Sequence, residues 1–214
     1  MKTNILVVND IPDCGFSYGR PFQRFGKITD NMKLLDSDPD SIRCAVFTGG
    51  SDVSPDLYGH KNLASGNNPR RDTIEKDVCE KLNNLGIFKF GICRGSQFLC
   101  VMAGGTLVQD MRHKPRHTIR ELKTDKVIEV NSLHHQMQVP PFDAEVIAVA
   151  DPKHSPYYIY DDQYEPGFKP EHEYEVVYYP DIKALGAQYH PEMMDEESEG
   201  WLYYQELIER FIPQ

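Results

Sequence analysis

The chain has 214 residues, enough for one sizeable hydrophobic core, and 40% of them are hydrophobic, with ten Phe and twelve Tyr, which excludes a disordered chain. A formal net charge of −10 sets most of the surface against DNA or RNA, so a nucleic-acid partner is not expected. No apolar run approaches the roughly 18 residues of a membrane span, and the opening run Ile5 to Val8 is too short for a signal-peptide core, so neither a membrane partner nor secretion is expected and a cytoplasmic location is the default.

Asn4 to Val8 has the short, β-branched character of a buried strand. Asp10 to Lys27 mixes Pro, Gly and aromatic residues without a clear period. Cys44 to Phe47 predicts a second buried strand that runs into the glycine turn Thr48-Gly49-Gly50-Ser51-Asp52, followed by a loop from Asp56 to Arg71. Asp72 to Leu85 predicts a helix, with Asp72 as its cap, Glu75 completing a capping box, Gly86 as its stop, and Ile74, Val78, Leu82 and Leu85 on its apolar stripe. Ile87 to Ile92 predicts a third buried strand and Arg94 to Ala103 a helix stopped by Gly104-Gly105. Further strands are expected at 106–108, 126–130, 145–150, 175–179 and 184–189, and a closing helix at about 196–212, with Trp201, Leu202, Leu207, Ile208 and Phe211 on one face. The basic run Arg112 to Arg120 is assigned to a solvated loop. Strand–helix alternation predicts an α/β fold, a three-layer flavodoxin-like sandwich with a mostly parallel sheet. One domain over 1–214 is expected, with an insertion or lid loop at about 151–173 that is rich in Tyr, Pro, Asp and Glu.

Five cysteines at irregular spacing do not suggest a disulfide framework. Cys44, Cys79 and Cys100 fall on apolar patterns, whereas Cys93 lies where a buried strand ends in Gly91-Ile92-Cys93-Arg94-Gly95 and a helix begins. That is the pattern of a nucleophile elbow, in which the glycines permit a tight turn and the helix N-terminus favours a thiolate. His190 ends a predicted strand, and Glu192 lies two residues on, on the same side of an extended segment, so its carboxylate can orient the imidazole. Two turns can supply oxyanion donors, the N–H of Arg94 and the Gly49-Gly50-Ser51 turn, with Gly50 the chosen donor there.

These residues resemble the class I glutamine amidotransferase superfamily, and within it the γ-glutamyl hydrolase branch that includes γ-glutamyl-γ-aminobutyrate hydrolases. The resemblance rests on Gly91-Ile92-Cys93-Arg94-Gly95-x-Gln97, Gly104-Gly105-Thr106-Leu107-x-Gln109-Asp110, Asn131-Ser132-Leu133-His134-His135-Gln136 and Gly186-Ala187-Gln188-Tyr189-His190-Pro191-Glu192, in that order. Thr48 to Gly59 and Arg71-Asp72-x-x-Glu75 fit the branch as well. The resemblance implies a γ-glutamyl thioester on Cys93, proton transfer by His190, orientation by Glu192, and a glutamyl pocket formed by Gln97, Ser132, Leu133 and His134. It implies a substrate that is glutamine or another γ-glutamyl small molecule, and no cofactor. Because the chain stops just after the last predicted helix, an ammonia-accepting synthetase would lie on a separate chain. The stretch before residue 44 is shorter than the family's, and 151–175 replaces its Asp-Gly-x-Ile-Glu-Ala hairpin. Two other readings remain: a non-catalytic binding or regulatory protein on the same fold, and a metal protein using His113, His117, His134 and His135. The second has no acidic or Cys partner at a recognisable ligand spacing, so no metal ligand is assigned.

Overall fold

Successive residues of a buried strand point to opposite faces, and the first strand, β1 (Asn4–Val8), uses both. Ile5 and Val7 enter a core that is closed by the last helix, whereas Leu6 and Val8 enter a core closed by the two middle helices. The same division holds for β3 (Ile42–Phe47), where Cys44 and Val46 face one core and Ala45 and Phe47 the other. This is the three-layer sandwich expected from the alternation of elements. The computed structural model describes residues 2–9, 15–161 and 168–213.

After β1 come a short strand β2 (Lys27–Thr29), the one-turn helix α1 (Leu34–Ser37) and β3. Helix α2 (Pro69–Asn84) leads to β4 (Phe88–Ile92), and α3 (Arg94–Met102) follows at once. The chain then forms β5 (Thr106–Met111), β6 (Arg116–Glu121), β7 (Val127–Asn131), β8 (Met137–Val139) and β9 (Glu145–Ala150). It closes with β10 (Tyr158–Tyr160), β11 (Tyr174–Tyr179), β12 (Ala184–Ala187) and α4 (Glu199–Phe211).

The main sheet has nine strands in the order β2-β1-β3-β4-β12-β11-β9-β6-β7. From β2 to β12 neighbours are parallel, and from β12 to β7 they are antiparallel. The sheet is thus mixed, and its parallel half carries the elbow. A second, three-stranded sheet, β10-β5-β8, lies apart from it. Among the described residues no helix is long and apolar enough to cross a membrane, and Cys44, Cys79, Cys93 and Cys100 are free thiols; Cys14 lies outside the described residues.

Two local expectations are corrected. Helix α2 begins three residues earlier than its apolar stripe suggests. Its cap is Asn68, whose side chain accepts a hydrogen bond from the Arg71 N–H, with Pro69 in the first turn. Asp72 and Glu75 are therefore inside the helix and buried, and Ile74 and Leu85 are exposed. The second correction concerns Arg112 to Arg120, which is not a solvated loop. Its second half is β6, and His117, Ile119 and Glu121 point inward while the arginines point out.

The stretch 151–173 contributes β10, which pairs antiparallel with β5. Its tyrosines pack locally: Tyr158 donates to Glu173, Tyr160 stacks on Phe168 with centroids 4.0 Å apart, and Tyr157 donates to Asp110. Tyr164 lies outside the described residues.

Strand β4 also carries a buried lysine. Lys89 is 1% exposed and its ammonium donates to the Ile87 carbonyl at 3.0 Å. Burial pushes its pKa down to about 8, so the folded state sheds this proton more readily than the unfolded chain. Stability then rises with pH between about 8 and the ordinary lysine value. Lys89→Met is expected to stabilise the protein by about 1–3 kcal/mol at pH 7, and the gain should shrink above pH 8. Urea melts of both proteins at pH 7 and pH 10 check this; an equal or larger gain at pH 10 would contradict it.

Candidate active site

Parallel register brings three turns to one edge of the sheet. Gly91 of β4 pairs with Phe47 of β3 on one side and with Gly186 of β12 on the other. One residue beyond the strand, the Cys93 N–H donates to the Ala187 carbonyl at 2.8 Å. The Gly49-Gly50 turn after β3, Cys93 after β4 and His190 after β12 are therefore neighbours, although they are far apart in the chain.

Cys93 has φ 53° and ψ −110°, a conformation that costs a non-glycine residue roughly 1–3 kcal/mol, and it is the N-cap of α3. The turn is as tight as the sequence pattern requires. A Cβ on Gly95 would run into the Phe47 carbonyl. The sulfur sits at the free N–H end of the helix, and the Arg94 N–H is among the first-turn donors that have no partner within a helix.

The His190 Nδ1–H donates to Glu192 Oε1 at 2.6 Å; the carboxylate only accepts, so the tautomer follows. Cys93 is the other group that acts on the ring. Burial lowers the His190 pKa, but Cys93 and the Glu192 carboxylate together raise it to about 10. The imidazolium therefore persists through neutral pH, paired with the Glu192 carboxylate. The backbone of His190 is clamped by Asn131, whose Oδ1 accepts from the His190 N–H at 2.8 Å and whose Nδ2 donates to its carbonyl at 2.9 Å. The Tyr18 ring lies 6.3 Å from the imidazole, and Arg20 donates to the Glu192 and Met194 carbonyls, fixing the turn that follows.

A buried charge network holds the glycine turn. Arg71 donates to the Gly49 carbonyl at 2.8 Å, the Thr48 carbonyl at 3.0 Å and Glu75 at 2.7 Å. The Arg94 guanidinium, 1% exposed, pairs with Asp72 and Glu75, and Asp72 also accepts from the Ser54 N–H at 3.0 Å. Since the Gly49 carbonyl is turned toward Arg71, the N–H of Gly50 across that trans peptide points the opposite way. Gly50 has φ +125°, which L side chains rarely adopt, and its N–H has no hydrogen-bond partner among the described residues. The Gly49 Cα faces the His190 ring, where a Cβ would stand 3.2 Å from Cε1.

The structure gathers Cys93, His190, Glu192, Gly50 and Arg94, and places the other expected residues differently. Gln97 donates to the Gln136 carbonyl at 3.1 Å, and His134 Nδ1–H donates to the same oxygen at 2.8 Å. Ser132 Oγ bonds His113 Nδ1 at 2.9 Å, and the Leu133 side chain is exposed. The side chains of Gln97, Ser132 and His134 thus shape the 132–136 segment from behind. His135 bridges Asp52 and Asp110 at 3.1 Å each. The sequence reading gave no role to Asn131, Arg71 or Tyr18. Asn131 and Arg71 stand in quoted motifs; Tyr18 lies in a stretch with no period.

Comparison with known proteins agrees with this geometry. The Peptidase C26 family model matches residues 28–141, and the chain belongs to that family, which is class I glutamine amidotransferase-like. The chain is 35% identical over 133 residues to a glutamine amidotransferase-like YvdE homolog of Lactococcus lactis subsp. cremoris, covering 51% of this chain and 69% of that protein. A YvdE protein of Lactococcus lactis subsp. lactis is 34% identical over 132 residues, covering 51% of this chain and 55% of its own length. Among solved structures, a glutamine amidotransferase of Thermotoga maritima superimposes with a TM-score of 0.63 at 15% identity, covering 98% of this chain and 85% of that one. A GMP synthase subunit of Thermoplasma acidophilum superimposes with the same TM-score of 0.63 at 17% identity, covering 99% of this chain and 92% of that one. At such identities the structural likeness speaks for the fold.

The His135 bridge makes a pH prediction. Its hydrogen bond to Asp52, helped by Asp110, raises its pKa to about 8 against the opposing effect of burial. The folded state holds this proton more tightly, so the stabilisation is complete below about pH 6.5 and is lost as pH rises through about 8. Half of the side chain meets solvent, which limits the effect to under about 1 kcal/mol. His135→Asn should therefore lower stability at pH 6 and leave it nearly unchanged at pH 9, measured by urea melts; equal losses at both values would contradict the assignment.

Proposed function

We propose that this protein is a cysteine-dependent hydrolase of γ-glutamyl amides, acting on glutamine or a γ-glutamyl amine through a thioester on Cys93. The observation that carries the reading is the strained elbow of Cys93 facing a His190 that is held by Glu192. The thiolate attacks the γ-carbonyl carbon, and the electron pair of the C=O bond moves to oxygen. The N–H groups of Gly50 and Arg94 stabilise that oxyanion. The His190 imidazolium gives its proton to the leaving nitrogen, ammonia or an amine departs, and the γ-glutamyl thioester remains. Neutral His190 then takes a proton from water, whose oxygen attacks the thioester carbon; the Cys93 thiolate leaves and glutamate is released. Glu192 keeps the imidazole in one tautomer and supports its positive charge.

The α-amino and α-carboxylate groups of the substrate are assigned to the neighbourhood of Gln97, Ser132, Leu133 and His134. The polar side chains there are engaged with neighbouring groups and the Ser132 N–H donates to the Pro115 carbonyl at 2.8 Å, so the Leu133 N–H is the group we assign to the substrate. The family and the Lactococcus relatives support an amidotransferase-type substrate. A glutaminase subunit that serves a synthetase on another chain, as the name of the Thermoplasma neighbour suggests for that protein, is the second form of this reading.

Cys93→Ala should abolish release of glutamate from a panel of glutamine and γ-glutamyl amines, with a loss of about 10³-fold or more, while the circular dichroism spectrum is unchanged. Survival of a tenth of the activity would overturn the nucleophile assignment. Arg71→Lys should loosen the Gly49-Gly50 peptide and cost turnover about 10²-fold, the scale of one lost oxyanion donor. Alkylation of Cys93 by iodoacetamide should proceed at nearly the wild-type rate in that variant, and an equal loss in both measurements would show that Arg71 acts on the thiol instead.

A further inference from the structure

Beside the 132–136 segment, four ionisable side chains converge in the interior. His113, from the loop before β6, His117 of β6, His134 and Glu175 of β11 have side chains exposed by 1%, 0%, 2% and 1%. Such groups are ordinarily buried only with partners in place. Here the Nε2 atoms of all three histidines, both Nδ1 and Nε2 of His117, and both oxygens of Glu175 lack hydrogen-bond partners.

The distances are informative. The Nε2 atoms of His117, His113 and His134 lie 3.2, 3.5 and 3.7 Å from one atom, Glu175 Oε1. None of these contacts has hydrogen-bond geometry. Ligand atoms on a tetrahedron with bonds of about 2.0–2.1 Å stand about 3.3–3.4 Å apart. The donors of His113, His117 and Glu175 all lie within 4.8 Å of one another. The histidine tautomers also agree with ligation. His134 Nδ1 must carry its proton, because it bonds the Gln136 carbonyl at 2.8 Å, so in the neutral ring Nε2 is the bare nitrogen and faces a carboxylate oxygen. His113 Nδ1 is engaged by Ser132 Oγ at 2.9 Å, which leaves its Nε2 for the centre. Ring nitrogens held in this way, with the other nitrogen turned inward, are the usual outer-shell arrangement of a metal-bound histidine.

The neighbouring carboxylate behaves differently. Glu173 accepts from the N–H groups of His154 and Ser155 and from the Tyr158 hydroxyl, all at 2.8–3.0 Å. It is satisfied by the 151–173 stretch, and Glu175 is the acid left without partners.

We infer that His113, His117 and Glu175, whose donors already stand together, form with His134, which reaches the same carboxylate oxygen, a closed, four-coordinate structural site for a divalent first-row metal ion of the zinc class, the His134 ring moving in to complete it. Imidazole and carboxylate donors suit that class, and the absence of solvent access fits a structural role. The ion would join four chain segments. One of them is the 132–136 segment, whose preceding residue Asn131 clamps His190. Another is β11, where the Glu175 carbonyl accepts from the Gln188 N–H at 2.8 Å, two residues before His190. The competing account of the same cluster is a proton-sharing network with no ion, and the two make different predictions.

The test uses untagged full-length protein in a Cys93→Ala background, which removes the reactive thiol as a competing ligand. After dialysis against a chelator, titration with Zn²⁺ should show one tight site per chain and raise the melting temperature, whereas Mg²⁺ should do neither. Co²⁺ should give the intense visible bands of tetrahedral coordination. Glu175→Gln and His117→Ala should each cut bound metal at 1 equivalent of Zn²⁺ at least tenfold. Ser132→Ala, which leaves all four ligands in place, should weaken affinity roughly 10–100-fold. Should the two ligand variants fail to fold, the Zn²⁺ and Co²⁺ titrations of the parent protein with Ser132→Ala still decide. Folded parent protein that binds under a tenth of an equivalent of either ion, or that binds it unchanged in Glu175→Gln, would overturn the site and leave the proton-sharing network.

Discussion

One backbone hydrogen bond, from the Cys93 N–H to the Ala187 carbonyl, fixes the meeting of the two chain segments on which the proposed site depends. It continues the parallel pairing of β4 and β12 one residue past the strand, so that Cys93 and the segment leading to His190 leave the sheet together. A register slip of one residue would turn every side chain of β12 to the opposite face and remove the imidazole from the thiol. Everything else at the site adjusts details of this meeting. The N-terminus of α3 supplies free donors, Asn131 holds the backbone of His190, and Glu192 fixes its ring.

The buried charges of Arg71, Asp72, Glu75 and Arg94 have a related function on the other flank. Ion pairs taken out of water rarely add much net stability, but removing one partner is costly, so the arrangement is rigid. Here that rigidity is spent on a peptide plane. Arg71 turns the Gly49 carbonyl inward to itself and so turns the Gly50 N–H the opposite way. Arg94 joins both halves, since its backbone begins α3 beside the sulfur and its side chain anchors α2.

Much of this was legible in the sequence. The buried strands of the parallel half are short β-branched or apolar runs, and Gly-x-Cys-x-Gly between a strand and a helix has few other mechanical readings. The failures have physical causes. Asp72 and Glu75 have the spacing of a capping box, and the same spacing puts two carboxylates on one helix face for an arginine from elsewhere; local sequence does not separate the two. Strand β6 was hidden because its inward positions are His117, Ile119 and Glu121, so the alternation that marks a strand is not an alternation of apolar and polar. Those polar residues are buried because other segments meet them, and that is a long-range fact. His113 and His117 were visible as a pair four apart, but the acid that faces them, Glu175, is 58 residues from His117 and becomes its neighbour only through the antiparallel half of the sheet.

The most direct test of the central claim is covalent. The wild-type protein would be incubated with a glutamine-analogue electrophile that carries a γ-position leaving group, then digested and analysed by mass spectrometry. The account predicts one adduct per chain, on the peptide containing Cys93, with protection by excess glutamine or a γ-glutamyl amine and no adduct at Cys14, Cys44, Cys79 or Cys100. A folded protein labelled equally at another cysteine, or labelled at Cys93 at a rate that no γ-glutamyl compound reduces, would contradict it.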